Sequence, residues 1–324
     1  MNTSAKPLNL LITGAFGHIG SRFIHEVDPT LVNMIYLVDN FSTLRYPSMF
    51  NLPESVKFKF FEGDILSFDF EEALKEVDIV LHLAAITDAA NSFKNEEEVM
   101  SINFGGTKRV AEACAKTGTK FIFISTTSVY GSQSELVDEN CSEDELKPQS
   151  PYAKSKLSAE NYLFEMATHY KSFRFVICRF GTIFGESIGM RFHTAINKFV
   201  WQAVMNEPIT VWKTALHQKR PYLSLDDAIS ALQFIMKNDI FPNQVFNVLS
   251  LNSTVNDIIE SIKKFIPDVR IEFVESKIMN QLSYHVSNKK FSDTGFKFDG
   301  NLNSIAKSIK LLKGANYHLL VKNI

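Results

Sequence analysis

A six-residue apolar run, 8–13, leads straight into Thr13-Gly14-Ala15-Phe16-Gly17-His18-Ile19-Gly20, and no other stretch limits the possible folds as strongly. The three glycines suit, in order, a tight turn, a ligand close to the backbone and a close helix–strand crossing. The same strand–helix alternation continues downstream. Short apolar runs at 34–38, 56–60, 79–83, 120–124 and 173–178 read as strands buried on both faces, and helical patterns fall at 18–27, 70–77, 96–118 and 150–169. Buried strands joined by helices imply an α/β fold, a parallel sheet covered on both sides, and right-handed crossovers make it doubly wound.

The second half is less regular. Helical patterns occupy 192–205, 225–237, 255–265 and 304–312, and strands are expected at 245–248 and 270–274. No Pro/Gly/Ser-rich linker, repeat or low-complexity stretch interrupts it. The expected organisation is a larger unit over 1–178, to which 220–250 returns, and a smaller interleaved C-terminal lobe built from 179–219 and 251–324.

Composition narrows the function. A net charge of -2 supplies no basic field for nucleic acid or an anionic membrane. Three scattered cysteines, Cys114, Cys141 and Cys178, fit a reducing cytoplasm rather than a disulfide framework. The N-terminus lacks a signal-peptide pattern, and no apolar run approaches the ~18 residues of a membrane span. A cytoplasmic enzyme is expected. No HExxH, GxSxG, P-loop or His/Cys cluster occurs, so no metal is expected. His82 reads as a satisfied core residue, and His193 as a possible substrate contact.

The glycine turn opens a helix whose free N–H groups can receive phosphates. Asp39 ends the second strand about 20 residues beyond Gly20, where a carboxylate accepts the adenosine ribose hydroxyls and repels a 2′-phosphate. This predicts NAD rather than NADP. Among nine tyrosines, only Tyr152 has a lysine four residues later, Lys156. On a helix that spacing puts both on one face, and an ammonium beside a phenol lowers its pKa.

These features, with Asp39-Asn40, Gly63-Asp64, His82-Leu83-Ala84-Ala85, Asn103 before Gly106-Thr107, and Ser125-Thr126-Thr127-Ser128-Val129-Tyr130-Gly131, occur in a telling order. Together they resemble the extended short-chain dehydrogenase/reductase family, in its nucleotide-sugar epimerase/dehydratase branch. The resemblance covers nearly the whole chain and implies a Rossmann-like sheet, NAD, a nucleoside diphosphate sugar (UDP- or GDP-linked) and a homodimer. It assigns Thr126, Tyr152 and Lys156 to catalysis, with Lys156 also holding the nicotinamide ribose. It places Gly14, Phe16, Gly17, His18, Ile19, Gly20, Asp39, Asn40, Asp64, Ile65, Leu83, Ala84, Ala85, Asn103, Tyr152 and Lys156 at the cofactor. Thr87, Thr126, Thr127, Thr182, Arg191, Asn197 and Arg220 fall at the sugar nucleotide, and Ser283-Tyr284 resembles a later segment near it. Plainer roles stay open for Asp64 (a turn cap), Asn103 (a helix cap), Ala84–Ala85 (packing) and Arg191 (packing at a helix start). For the dimer, the stripes Val99, Ile102, Val110, Leu157 and Leu163 are either an interface or monomer core.

Family dehydratases carry an Asp-Glu pair where this chain has Thr127 and Ser128, so a 4,6-dehydratase is not expected. The implied reaction is C4 epimerisation, in which Tyr152 removes the C4 hydroxyl proton and NAD takes and returns the hydride. The alternatives are a C4 dehydrogenase or 4-keto reductase on the same scaffold, and a non-catalytic NAD-sensing relative.

Overall fold

The computed structural model describes residues 6–316 apart from 90, 132–135 and 276–283. Strands Leu8–Thr13 (β1), Val32–Asp39 (β2), Lys57–Glu62 (β3), Ile79–His82 (β4) and Lys120–Thr126 (β5) join Phe175–Phe180 and Gln244–Val248 in one seven-stranded sheet. Its order is Gln244–Val248, Phe175–Phe180, β5, β4, β1, β2, β3, and every neighbouring pair is parallel. Chain order reverses between β1 and β4. The loops leaving those two strands therefore diverge and open a crevice, where doubly wound sheets bind ligands.

Side-chain alternation shows why both faces are covered. Leu10, Ile12, Ile35, Leu37, Ile79 and Leu81 join one apolar cluster, whereas Leu11, Val38, Val80, Phe121 and Phe123 join the opposite one. Strand β3 departs from the expectation of burial on both faces. It is the sheet edge, with Lys57 and Lys59 exposed between half-buried Phe58 and Phe60. An edge strand has one neighbour, and lysines there block further pairing.

The helix expected over 96–118 is continuous but not uniform. Glu96–Val99 and Thr107–Thr117 are α-helical, and a wider π turn, Met100–Gly106, lies between them. Such turns re-aim side chains and recur at functional sites. The helix expected at 70–77 is only Phe70–Ala73. Helix Pro151–His169 starts where Ser150 accepts the Ala153 N–H (3.2 Å) and Pro151 needs no partner. Of the proposed interface stripe, Val99, Val110 and Leu163 are at most 1% exposed and belong to the monomer core, Ile102 lines the crevice, and Leu157 is half-buried.

In the second half, Thr182–Phe184, Lys219–Ser224 and Leu251–Thr254 form a three-stranded sheet, and Ile209–Trp212 pairs with Ile271–Val274. Helices Ala195–Val204, Val255–Lys263 and Ile305–Lys313 share an apolar cluster that includes Ile196, Val200, Val211, Tyr222, Ile258 and Ile305.

One buried ion pair ties three elements together. Arg179 and Glu160 have side chains 5% and 1% exposed and meet at 2.6 Å, and Ser125 Oγ donates to the same carboxylate. Truncating one partner leaves an uncompensated charge. Glu160→Ala should therefore cost about 3–5 kcal/mol in urea unfolding, with Glu160→Leu/Arg179→Met recovering most of it. At the glycine turn, a Cβ on Gly20 would lie 2.4 Å from the Ala15 carbonyl oxygen. Gly20→Ala should lose about 1–3 kcal/mol by the same measurement.

Candidate functional site

The turn after β1 presses directly on the loop after β4. Gly14 has φ +65°, and a Cβ there would sit 2.7 Å from the Ala84 Cα. Gly14 N–H donates to the Val38 carbonyl (2.9 Å), which ties the turn to β2. Helix His18–Glu26 (α1) then begins with Gly17 as its N-cap and no side chain on its first N–H groups. Its positive end faces the crevice, a setting that favours phosphate.

A cavity of about 580 Å³ fills the crevice, inside the ~300–1,000 Å³ of ligand pockets. Gly14, Gly17, His18, Ile19, Gly20, Asp39, Asn40, Asp64, Ile65, Leu83, Ala84 and Ala85 line it as expected. The Asp39 carboxylate is held by the Phe16 N–H (3.0 Å) and the Phe41 N–H (2.9 Å). Asn40 donates to Asp64 (2.9 Å), whose other oxygen accepts the Leu66 N–H (2.8 Å), so Asp64 also caps a turn.

Two expected cofactor residues act indirectly. Phe16 offers only its backbone, because its ring is 1% exposed and stacks on Phe41 (centroids 5.1 Å apart). Asn103 is fully buried and grips both the N–H (2.8 Å) and the carbonyl (2.9 Å) of Ile86, which lines the cavity. The π turn delivers Asn103 to that loop, so Asn103 is a brace and not a helix cap. His82 is the core residue expected. Thr13 and Thr107 take its two ring nitrogens (2.7 and 3.0 Å), and burial lowers its pKa to about 3.

At the catalytic end, the Thr126 hydroxyl lies near enough to Tyr152 to favour its phenolate, and it also accepts the Ser128 N–H (3.1 Å). Lys156, expected to acidify the phenol, makes contacts of its own. Lys156 Nζ donates to the Ile124 carbonyl (2.8 Å) and lies over the Phe123 ring, and burial lowers its own pKa to about 7. Burial raises the Tyr152 pKa, and the cation that opposes this is Arg191, aided by the Thr126 hydroxyl.

The expected sugar-nucleotide residues divide. Arg191 and Thr87 both line the cofactor cavity and hydrogen-bond each other. Thr127 is 1% exposed with its hydroxyl on the Phe180 carbonyl (3.3 Å), so it is not a ligand contact. Asn197 is likewise a brace, since it accepts the Gly185 N–H (3.1 Å) and donates to the Arg191 carbonyl (3.0 Å). Thr182 lies half-buried opposite Tyr222 in the second sheet, and Arg220 is two residues from Tyr222 on the neighbouring strand. Tyr284 acts electrostatically on both Tyr152 and Tyr222, which places it near this end, while Ser283 lies outside the described residues.

Sequence reasoning missed Arg45, and it left His193 open as a substrate contact; both line the cofactor cavity. For Arg45 a signal existed: it is a basic residue six positions after Asp39, on the loop that leaves β2. His193 carried none, because the chain segment holding it is placed by contacts remote in sequence.

The residues present fit a dinucleotide. The turn leaves no room for a Cβ, the α1 N–H groups lack side-chain caps, and a carboxylate stands fixed at the end of β2.

Comparison with known proteins agrees. Residues 10–248 match the model of the NAD dependent epimerase/dehydratase family. A trifunctional UDP-glucose 4,6-dehydratase/UDP-4-keto-6-deoxy-D-glucose 3,5-epimerase/UDP-4-keto-L-rhamnose-reductase of Arabidopsis thaliana is 29% identical over 90% of this chain, which spans only 45% of that protein. The dTDP-D-glucose 4,6-dehydratase of Mus musculus is 30% identical over 89% of this chain and 83% of its own length. Among solved structures, UDP-glucuronic acid 4-epimerase from Bacillus cereus, in complex with UDP-glucuronic acid and NAD, superimposes with a TM-score of 0.84. It is 27% identical over 95% of this chain and 100% of its own. The chain belongs to the NAD dependent epimerase/dehydratase family.

Proposed function

We propose that this chain uses NAD to oxidise and re-reduce C4 of a nucleoside diphosphate sugar, and so interconverts C4 epimers. The observation that carries this reading is Tyr152 placed close to Thr126, with Thr127 and Ser128 following it instead of an acid pair, in a chain whose crevice fits a dinucleotide. Thr127 and Ser128 occupy the positions of the dehydratase acids. Thr127 is committed to the Phe180 carbonyl, and Ser128 Oγ lies 3.1 Å from Thr126 Oγ1. Neither hydroxyl can protonate a departing C6 oxygen, although several of the curated relatives are dehydratases by name. NAD, when bound, supplies the hydride acceptor and donor.

This chain's own groups handle the proton. Thr126 orients the sugar hydroxyl toward Tyr152, and the phenol takes its proton as the C4 carbonyl forms and returns it on reduction. Arg191 favours the phenolate by its charge. Lys156, fixed on the Ile124 carbonyl at the end of β5, holds the nicotinamide ribose. The second sheet, Thr182–Phe184, Lys219–Ser224 and Leu251–Thr254, with the helices that share its apolar cluster, receives the sugar nucleotide, with Arg220 on its diphosphate. UDP is the proposed carrier, on the strength of the 27%-identical 4-epimerase. We place the enzyme in the cytoplasm, in keeping with three free cysteines. We also propose a homodimer through the outer side of helix Pro151–His169, where Phe164 is 40% exposed. Light scattering at twice the monomer mass supports that assembly, and a monomer refutes it.

The test incubates the chain with UDP-sugars, in separate runs with NAD or NADH equimolar with the sugar, reading the epimer by NMR and absorbance at the NADH band. Epimer without net NADH supports the reading. Stoichiometric NADH formation or consumption identifies a C4 dehydrogenase or 4-keto reductase instead. Tyr152→Phe should lower turnover by about 10²–10⁴-fold and leave NADH binding intact. Removing the Arg191 charge, as in Arg191→Met, raises the phenol pKa further, so the ascending limb of the pH–kcat profile should move to higher pH. An unmoved limb would refute Arg191 as the tuning cation.

A further inference from the structure

Two buried nitrogens on the cofactor cavity have no hydrogen-bond partner among the described residues: His18 Nε2 and Arg191 Nε. Buried polar atoms left unpaired are rare in folded proteins and ask for an explanation. His18 is 3% exposed, and its other ring nitrogen is pinned to Ser187 Oγ (2.8 Å), so the free nitrogen is fixed in direction. Around it stand Arg45, Arg191 and His193, each close enough to act on it electrostatically, with Arg22 further out.

Four basic side chains from three separate segments thus converge on one stretch of the cavity. His18 opens α1, Arg45 ends the loop after β2, and Arg191 and His193 come from the segment before helix Ala195–Val204. The loop carrying Arg45 takes an unfavourable path to deliver it, since Phe41 and Leu44 both have positive φ (52° and 53°). The segment carrying Arg191 is also fixed in place. Gly189 N–H donates to Ser21 Oγ (2.9 Å), and Arg22 donates to the Glu186 carbonyl (2.8 Å). Two carboxylates face the cluster: Asp39 acts on Arg45, and Asp88 acts on Arg191 and His193. Asp39 is already held by two backbone N–H groups, so it does not satisfy the orphaned nitrogens.

The cluster's position along the cavity identifies its ligand. Arg45 lines the cavity with Asp39 and feels its charge at the ribose end, and Arg191 lines it within electrostatic range of Tyr152 at the catalytic end. Between these ends lies the uncapped start of α1. A doubly charged group spanning that interval meets amide N–H groups on one wall and guanidinium and imidazole N–H groups on the other. We propose that His18, Arg45, Arg191 and His193 are a side-chain clamp for the diphosphate of the bound dinucleotide, supplementing the helix N-terminus. The clamp rests on the dinucleotide reading of the cavity and reassigns Arg191 from the sugar nucleotide to the cofactor. Because Arg191 also acts on Tyr152, it connects cofactor binding to the proton-transfer group.

The test titrates NADH, ADP and UDP into the wild-type chain and into Arg45→Gln, His193→Asn and His18→Asn, with urea unfolding as a control on the fold. Arg45 and His193 are not core residues, so their variants should keep the wild-type urea midpoint. The clamp predicts that each weakens NADH and ADP about tenfold, as expected for a lost charged hydrogen bond, and leaves UDP binding unchanged. Unchanged NADH affinity in both variants overturns the clamp. Loss of UDP affinity with NADH affinity intact also overturns it, because the cluster then serves the sugar nucleotide. Failure of the wild-type chain to bind NADH at all refutes the dinucleotide reading itself, and the clamp with it.

Discussion

The close approach of Gly14 to the Ala84 backbone, at the one place where the sheet reverses its strand order, is the constraint from which the site follows. It brings the end of β1 against the end of β4 and leaves α1 pointing its unpaired N–H groups into the crevice. Because β5 is the next strand beyond β4, its hydroxyl-bearing end emerges beside the same crevice. Helix Pro151–His169 then lays Tyr152 against Thr126. A side chain at Gly14 would force these two loops apart and displace every later element of the site.

Beneath that arrangement the polar groups are unusually committed. Glu160 neutralises Arg179 and accepts Ser125, His82 is spent between two threonines, and Asn103 holds the Ile86 backbone by both its polar atoms. These contacts fix the floor of the site and leave few groups free to do chemistry. Tyr152 is among the free ones, and burial makes it a weaker acid than an ordinary phenol. The chain therefore rests with a protonated phenol. Ionisation depends on positive charge nearby, which Arg191 provides.

Much of the first half was legible because its signals are local. Apolar runs such as Leu8–Thr13 and Phe175–Phe180 need no partner to be recognised, and the glycine turn announces both the crossover and the phosphate end. Strand β3 was misjudged although its alternating Lys57-Phe58-Lys59-Phe60 carries an edge signature. In the second half, Thr182–Phe184 is too short to announce itself and Lys219–Ser224 opens on two basic residues and a proline, so both become strands only through their pairing. The same reason limits the site. Spacing correctly put Tyr152 and Lys156 on one helix, but their different partners depend on Ile124 and Arg191, which lie about 30 and 40 residues away in sequence. Thr127 and Asn197 are the right types for ligand contacts, and only the fold reveals that backbone groups already occupy them.

Deuterium at C4 of the UDP-sugar tests the central claim most directly. If the hydride leaves C4 and returns within one closed site, the label stays at C4 in both epimers in ordinary water. Deuterium washed out to solvent would contradict the account, because the carbon would then have lost a proton rather than a hydride.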